Sequence, residues 1–330
     1  MGNYTAMRTC CGNSLCAPQF EIYVSDRENL PAQNPETALT KRNKNDLQEA
    51  EPLKEQMSAI RESIMLDSQY RDTSFDRSRI QKLESAMHYA KLLRLKVLSS
   101  ATLPKNLVIS INALGHENSL RDVKDGITYF GCKKRAKSQG IGKGPVINDF
   151  VIPSQDKYLA EKHRGQHFQI YYDLIKDAYY VKDLGVGFGT FLRLASQLIL
   201  KENYLLHMGD NFILVNLVAS PDHNSPRLRL KLFGAPCSGD VFYFNASDYN
   251  ESVIRIGRTT KCEIQIEDSL ISKVQCTIYY SLEGWILVDG DLENDRTSTN
   301  GTWLYLNENH ELSNGMMFKS NHTLFQVSIV

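Results

Sequence analysis

From Pro104 onward the apolar residues come in runs too short to be helices. LVISI (107–111), FVI (150–152), HFQIYYD (167–173), YYVKDL (179–184) and NFILVNLV (211–218) are rich in branched and aromatic residues, and Gly, Asn and Asp separate them. That texture predicts a mainly β chain folded as an antiparallel sandwich. SPDHNSP (220–226) has two prolines and no apolar residue, and reads as an inter-domain linker. A second set of strands then runs from RLRLKLF (227–233) to TLFQVSIV (323–330).

The two sets look like one unit written twice. TYFG (128–131) matches RIG (255–257) in position, and FVI (150–152) matches IQI (264–266). GVGFGTFLRL (185–194) parallels STNGTWLYL (298–306), and YLLHMGDNFILVNLV (204–218) parallels HELSNGMMFKSNHTLFQVSI (310–329). Recurrence at about a hundred residues predicts tandem copies of one domain, 104–219 and 227–330, rather than one large sandwich.

The second set carries an ordered group of polar residues: Gly257-Arg258, then Ser272-Lys273-Val274-Gln275, then Thr299-Asn300-Gly301-Thr302. It resembles the forkhead-associated (FHA) family, whose pattern is Gly-Arg, then Ser-x-x-His, then Asn-Gly-Thr. The resemblance implies a β-sandwich that binds phosphothreonine peptides. A phosphothreonine brings nearly two negative charges and three acceptor oxygens, so it needs a cation and aligned donors. Arg258 would supply a guanidinium fork, Ser272 a hydroxyl and Lys273 a second positive charge. By the same resemblance Thr299 sits close to the phosphothreonine and Asn300 bonds the peptide main chain. Gly257 and Gly301 would serve as site support, Gly301 by permitting the turn. The family's bracing histidine is Gln275 here, whose amide can still donate and accept. The blander alternative treats Gly257, Asn300 and Gly301 as turn residues only. The loop GDLENDRTSTNG (290–301) also carries Asp291, Glu293 and Asp295. It reads as a solvated loop, or as a selector of basic residues after the phosphothreonine.

The first set lacks these groups. Cys132 follows Gly131 where an arginine would stand, Arg164-Gly165-Gln166-His167 keeps the histidine without the serine, and Phe188-Gly189 replaces Asn-Gly. This half reads as an FHA-like fold without phosphopeptide recognition. Lys133, Lys134, Arg135, Lys137 and Lys143 crowd one loop. A solvated basic loop is the simpler reading, and contact with acidic headgroups or an acidic protein the sharper one.

Ahead of the strands, residues 53–103 read as a helical segment. Leu53, Met57, Ile60 and Ile64 form one stripe; Ile80, Leu83, Met87, Ala90 and Val97 form another, with Ser78 as its N-cap candidate. Residues 17–52 are polar and proline-dotted, as in a disordered arm. Residues 1–16 hold Gly2 after Met1, together with Cys10, Cys11 and Cys16. Myristate on Gly2 and palmitate on the cysteines would make a stable anchor, since one chain alone binds membranes only weakly. A disordered start with chance cysteines and a metal site are the alternatives; no histidine accompanies the cysteines, which counts against zinc.

The chain balances 38 basic against 38 acidic residues, so charge gives no reason to expect nucleic acid as a partner. No apolar run is long enough to span a bilayer, and no secretory signal opens the chain. Seven cysteines without CxxC pairing fit a reduced, cytoplasmic location. QGIGKGP (139–145) lacks the Ser or Thr of a phosphate loop, and no βαβ unit surrounds GVGFG (185–189). No catalytic frame or metal-ligand spacing emerges. The expectation is a non-enzymatic adaptor needing no cofactor, at the cytosolic face of a membrane, docking phosphothreonine proteins. The alternative is a phosphate-independent scaffold, for example in a cytoskeletal assembly.

Overall fold

The structure, a computed structural model, describes residues 77–135, 144–153, 165–219, 226–234, 239–249 and 252–330. The candidate lipidation residues Gly2, Cys10, Cys11 and Cys16, the arm at 17–52, the first helical stripe, Lys137, Lys143 and Arg164 lie outside them.

The chain is mainly β, as its punctuated apolar runs predict. One α-helix is found among the described residues, Arg77–Ala86, which buries Leu83 and Ala86. It ends well before the second stripe does, because the pattern changes period. From Leu93 apolar and basic residues alternate, and Leu93–Ser99 is a strand with Leu93, Leu95 and Val97 buried and Arg94 and Lys96 exposed. Val97 therefore belongs to a sheet and not to the helix, and Met87 lies past the helix end and exposed.

Three sheets carry the fold. The largest has eleven strands, in the order Val241–Phe244, Arg227–Phe233, Asn211–Val218, Leu205–Met208, Trp303–Tyr305, Thr190–Arg193, Met317–Ser320, Thr323–Ile329, Leu93–Ser99, Val108–Asn112 and Gly115–His116. A five-stranded sheet runs Ile264–Gln265, Ile254–Gly257, Cys276–Ser281, Gly284–Asp289, Leu198–Ile199. The other runs Phe150–Val151, Ile127–Gly131, Gln166–Asp173, Ala178–Asp183, His310–Glu311. Each small sheet begins with a parallel pair, Ile256 beside Ile264 or Phe130 beside Phe150, and continues antiparallel.

The packing does not divide where the sequence suggests. One core joins Leu194, Leu206, Met208, Ile213 and Val215 to Leu228, Ile256, Ile278, Trp285 and Leu304. The other joins Leu95, Phe130, Phe168 and Val181 to Leu306, Phe318, Phe325 and Val327. The last strands of each half thus complete the other half's core, and the segment 220–226 does not separate two self-contained sandwiches. The reason is local. Asn211–Val218 pairs residue for residue with Arg227–Phe233, from Phe212 opposite Phe233 to Val218 opposite Arg227. Strands joined by a short connection pair with each other before they reach back across a domain. The C-terminal strand Thr323–Ile329 then takes the place left beside Leu93–Ser99.

The exchange is reciprocal. At the middle of the large sheet Thr190–Arg193 runs antiparallel to Trp303–Tyr305, with Leu192 opposite Leu304. Outward from this pair each side shows two hairpin strands of the opposite half, then the strands that begin a half, two on one side and three on the other. Phe130 stacks on Phe168 at 4.4 Å, and Phe168 meets Phe318 edge-on at 5.5 Å, so aromatic burial spans both halves.

Candidate functional site

Two tight approaches build one end of the small sheet that contains Ile254–Gly257. The strand Ile254–Gly257 passes so close to the loop before Cys276 that a Cβ on Gly257 would lie 2.3 Å from the Lys273 carbonyl oxygen. Only glycine fits there. The Arg258 amide donates to the Ser272 carbonyl at 3.1 Å, which fixes the arginine beside the serine. Arg258 is exposed, and its guanidinium has no partner among the described residues. Lys273 is exposed as well, while its carbonyl accepts from Thr259 Oγ1 at 3.1 Å and Cys262 Sγ at 3.2 Å.

Thr299 and Asn300 reach the same place from the other loop. Ser272 Oγ accepts the Thr299 amide at 3.0 Å and lies 3.4 Å from Thr299 Oγ1. Asn300 Nδ2 donates to the Leu270 carbonyl at 2.7 Å. Gly301 turns at φ +78°, in the left-handed region that disfavours side chains. The Asn300 carbonyl accepts from Trp303 Nε1 at 3.0 Å, tying the turn to the large sheet.

Gln275 holds the two loops together. Its side chain is fully buried. Oε1 accepts the Ser272 amide at 3.0 Å, and Nε2 donates to Ser298 Oγ at 2.9 Å and to the Gly301 carbonyl at 3.0 Å. Ser298 Oγ donates in turn to Asp289 Oδ1 at 2.7 Å. Arg258, Ser272, Lys273, Thr299 and Asn300 are therefore gathered at one edge, with Gly257, Gln275 and Gly301 behind them.

The acidic loop folds back on itself. Asp291 and Arg296 exchange backbone hydrogen bonds at 2.7 and 3.1 Å, and Asn294 Nδ2 donates to Asp291 Oδ2 at 2.8 Å. Glu293 pairs with Arg255 at 3.4 Å, while Asp295 is exposed. Arg255 also holds Glu263 at 2.9 Å, and the two carboxylates hold its guanidinium above the usual range, the Glu263 hydrogen bond foremost.

Two residues unmarked by any motif complete the edge. Asp268 Oδ2 accepts from the Asp210 amide and from Asn211 Nδ2, each at 3.0 Å, while Oδ1 accepts the Leu270 amide at 2.8 Å. The hairpin of Leu205–Met208 and Asn211–Val218, from the first half, thereby buttresses the loop that presents Ser272. Arg193 lies against Gly301: a Cβ there would meet Arg193 Nε at 2.6 Å. No local signal marks either residue, because each acts only through the exchanged packing.

The first half has a similar tight approach at Gly131, with no arginine after the glycine. A Cβ on Gly131 would lie 1.7 Å from the Gly165 carbonyl oxygen, and half-buried Cys132 follows, its thiol pushed up by burial. Buried His167 accepts from Asn321 Nδ2 at 2.6 Å, and Asn321 Oδ1 accepts the Phe188 amide at 2.8 Å. Among the described residues, no group of His, Cys, Asp and Glu could hold a metal ion, and no helix is long and apolar enough to cross a membrane.

The family model for the FHA domain matches residues 254–320. A search of curated proteins returns no match. Among solved structures, the FHA domain of an Arabidopsis thaliana hypothetical protein is 27% identical, covering 32% of this chain and 87% of its own, with a TM-score of 0.20. A chain from a structural and functional analysis of phosphothreonine-dependent FHA domain interactions is 19% identical, covering 31% and 95%, with a TM-score of 0.17. The gathered edge, from Gly257 to Gly301, lies wholly within the matched segment, and residues 254–320 are an FHA domain.

Proposed function

We propose that this chain is a phosphothreonine-binding adaptor. The observation that carries the reading is the exposed Arg258 guanidinium, without a partner among the described residues, beside the Ser272–Thr299 cluster, with buried Gln275 bracing both loops. Arg258 and Lys273 supply charge, Ser272 Oγ and Thr299 the short-range contacts to the phosphothreonine, and Asn300 a grip on the peptide main chain. The cluster is already hydrogen-bonded in the free chain, which lowers the ordering cost of binding. FHA domains generally act as phosphothreonine-binding modules in signalling, and the proposed action is docking without catalysis.

The first half is proposed to be a second copy of the same unit that has lost its ligand. The mirrored strand order about Leu192 and Leu304 supports this, as does Cys132 where the second half has Arg258. Residues 1–16 are proposed to tether the chain to the cytosolic face of a membrane through Gly2 and Cys10, Cys11 or Cys16. Mass spectrometry of the native N-terminal peptide tests the tether: a retained Met1 or an unmodified Gly2 ends it.

The decisive experiment titrates the whole chain with a phosphothreonine peptide library and its unphosphorylated counterpart. Phosphate-dependent binding that Arg258→Ala abolishes is the expected result, and equal affinity for both libraries refutes the reading. A phosphate-independent scaffold is the second reading, favoured by the way Ser272 Oγ already receives the Thr299 amide. Partner capture that survives phosphatase treatment would select it.

A further inference from the structure

We propose that the face of the eleven-stranded sheet turned away from both cores is a second docking surface, for an extended acidic segment of a partner protein. Its centre is the strand Arg227–Phe233, in a different sheet from the one that leads into Arg258, and it calls for no phosphate.

The overall charge balance conceals a segregation by sheet. Among the described residues, the eleven strands of the large sheet hold seven Arg and Lys and no Asp or Glu. The strands of the two small sheets hold Lys182 and Arg255 against Asp173, Asp183, Asp289 and Glu311. Alternation then gathers all seven cations on one face. Each stands next in its strand to a core residue: Leu93 or Leu95, Leu192, Leu228 or Leu230, Leu232, and Phe318. Neighbouring side chains of a strand point to opposite faces, so the cations occupy the face that the cores leave.

The strand Arg227–Phe233 concentrates them. Arg227, Arg229 and Lys231 are half-buried, while Leu228, Leu230 and Leu232 between them are buried. The Arg227 guanidinium lies 5.3 Å from the centre of the Tyr243 ring, and Lys231 Nζ lies 5.1 Å from that of Phe233. Arg229 donates to Asn216 Oδ1 at 2.7 Å and to Tyr243 Oη at 3.3 Å. None of the three has a carboxylate partner among the described residues, and Arg227 Nε is buried without a hydrogen bond. Glu202, at the border, is held instead by Asn216 Nδ2 at 2.8 Å and the Leu217 amide at 2.5 Å. Three cations resting on rings and a neutral amide are matched by acids from outside.

The spacing names the ligand. Positions two apart in a strand repeat at about 6.7 Å, and an extended peptide has the same repeat. Acids at alternate residues therefore meet the three cations in step, and exposed Val218, opposite Arg227, adds apolar contact beside them. A single strand of nucleic acid uses aromatic platforms, but Phe191, Phe233, Trp303 and Tyr305 on this face are each 7% exposed or less. A bilayer needs one plane, whereas neighbouring strands twist by about 20–25°, so eleven of them do not present one.

The test uses the whole chain and fluorescent, unphosphorylated peptides: one with Glu alternating with Thr, and one of the same composition with its Glu residues in a single block. Anisotropy at low salt should find the alternating peptide bound about three- to tenfold more tightly, with the difference shrinking as salt rises. Arg227→Gln and Lys231→Gln should each weaken it about two- to fivefold, the scale of one partly exposed charge pair, with melting temperatures reporting on folding. Lys105→Gln, at an exposed lysine outside the strands, and Arg258→Ala should leave it unchanged. Equal binding of the two peptides overturns the proposal, as does a loss in Lys105→Gln equal to those at Arg227 and Lys231. Oligouridylate or phosphatidylserine vesicles bound more tightly than the peptide, and lost in the same variants, overturn it in favour of a nucleic acid or a membrane. Because these peptides carry no phosphate, failure here leaves the phosphothreonine reading standing, and failure of that reading leaves this surface standing.

Discussion

A single amide joins the two loops of the site. Gln275 is buried and satisfied at both ends, so Gln275→Ala would strand the Ser272 amide and the Gly301 carbonyl without partners. The expected loss is about 2–4 kcal/mol in chemical denaturation, the scale for orphaning buried polar groups. His207 offers a second test. Lys319 Nζ lies 2.8 Å from His207 Nδ1, and burial, then the neighbouring cation, lower the imidazole to about 3. The unfolded chain, with histidine near 6.5, binds the proton first, so stability should fall as pH drops from about 6.5 toward about 3. Lys319, lowered by burial to about 8, acts in the same sense higher up: stability is gained as pH rises from about 8 to 10.5. Urea denaturation at neutral pH and near pH 4 should show a smaller acid loss for His207→Gln than for wild type. At this scale the sequence marks several of the residues that meet at the candidate edge. Gly257, Arg258, Ser272, Asn300 and Gly301 satisfy constraints that reach only a few residues along the chain, so their types and order survive in the sequence. Arg193 and Asp268 were not readable, because the contacts that define them cross from one half to the other.

Elements were readable wherever one periodicity held. The strands after Pro104 follow the punctuation of apolar runs, and the misplaced element is Leu93–Ser99, where a helical spacing from Ile80 to Ala90 gives way to alternation without Gly or Pro between them. Val97 happens to sit at a helical interval from Leu83 and Ala90, which hides the change. The hairpin ending at Gly209–Asp210 shows how one element serves another's function. It grips the Ser272 loop through Asp268, which leaves three hydrogen bonds to lose. Asp268→Ala should weaken phosphopeptide binding several-fold, at a cost of about 1–3 kcal/mol. Hydrogen exchange at the Leu270 and Asp210 amides checks the cause, since both should exchange faster in the variant while the amides of Cys276–Ser281 keep their protection.

For the whole molecule, the exchange of strands between the halves was not legible. Asn211–Val218 and Thr323–Ile329 both offer an apolar face of alternating residues, so either would suit either core, and only the pairing of strands close in sequence decides. A fragment spanning 227–330 lacks Met208, Ile213 and Val215 from its core and carries Phe318 and Phe325, which belong to the other. It should fail to give a cooperative unfolding transition or dispersed amide resonances. A protease site engineered between residues 219 and 226 makes the converse test: the cut halves should co-elute in size exclusion and part only in denaturant. Independent elution of two folded halves would refute the exchange. The same arrangement bears on inheritance. Strands from the first half complete the core beneath residues 254–320, so selection acting on either half constrains the other.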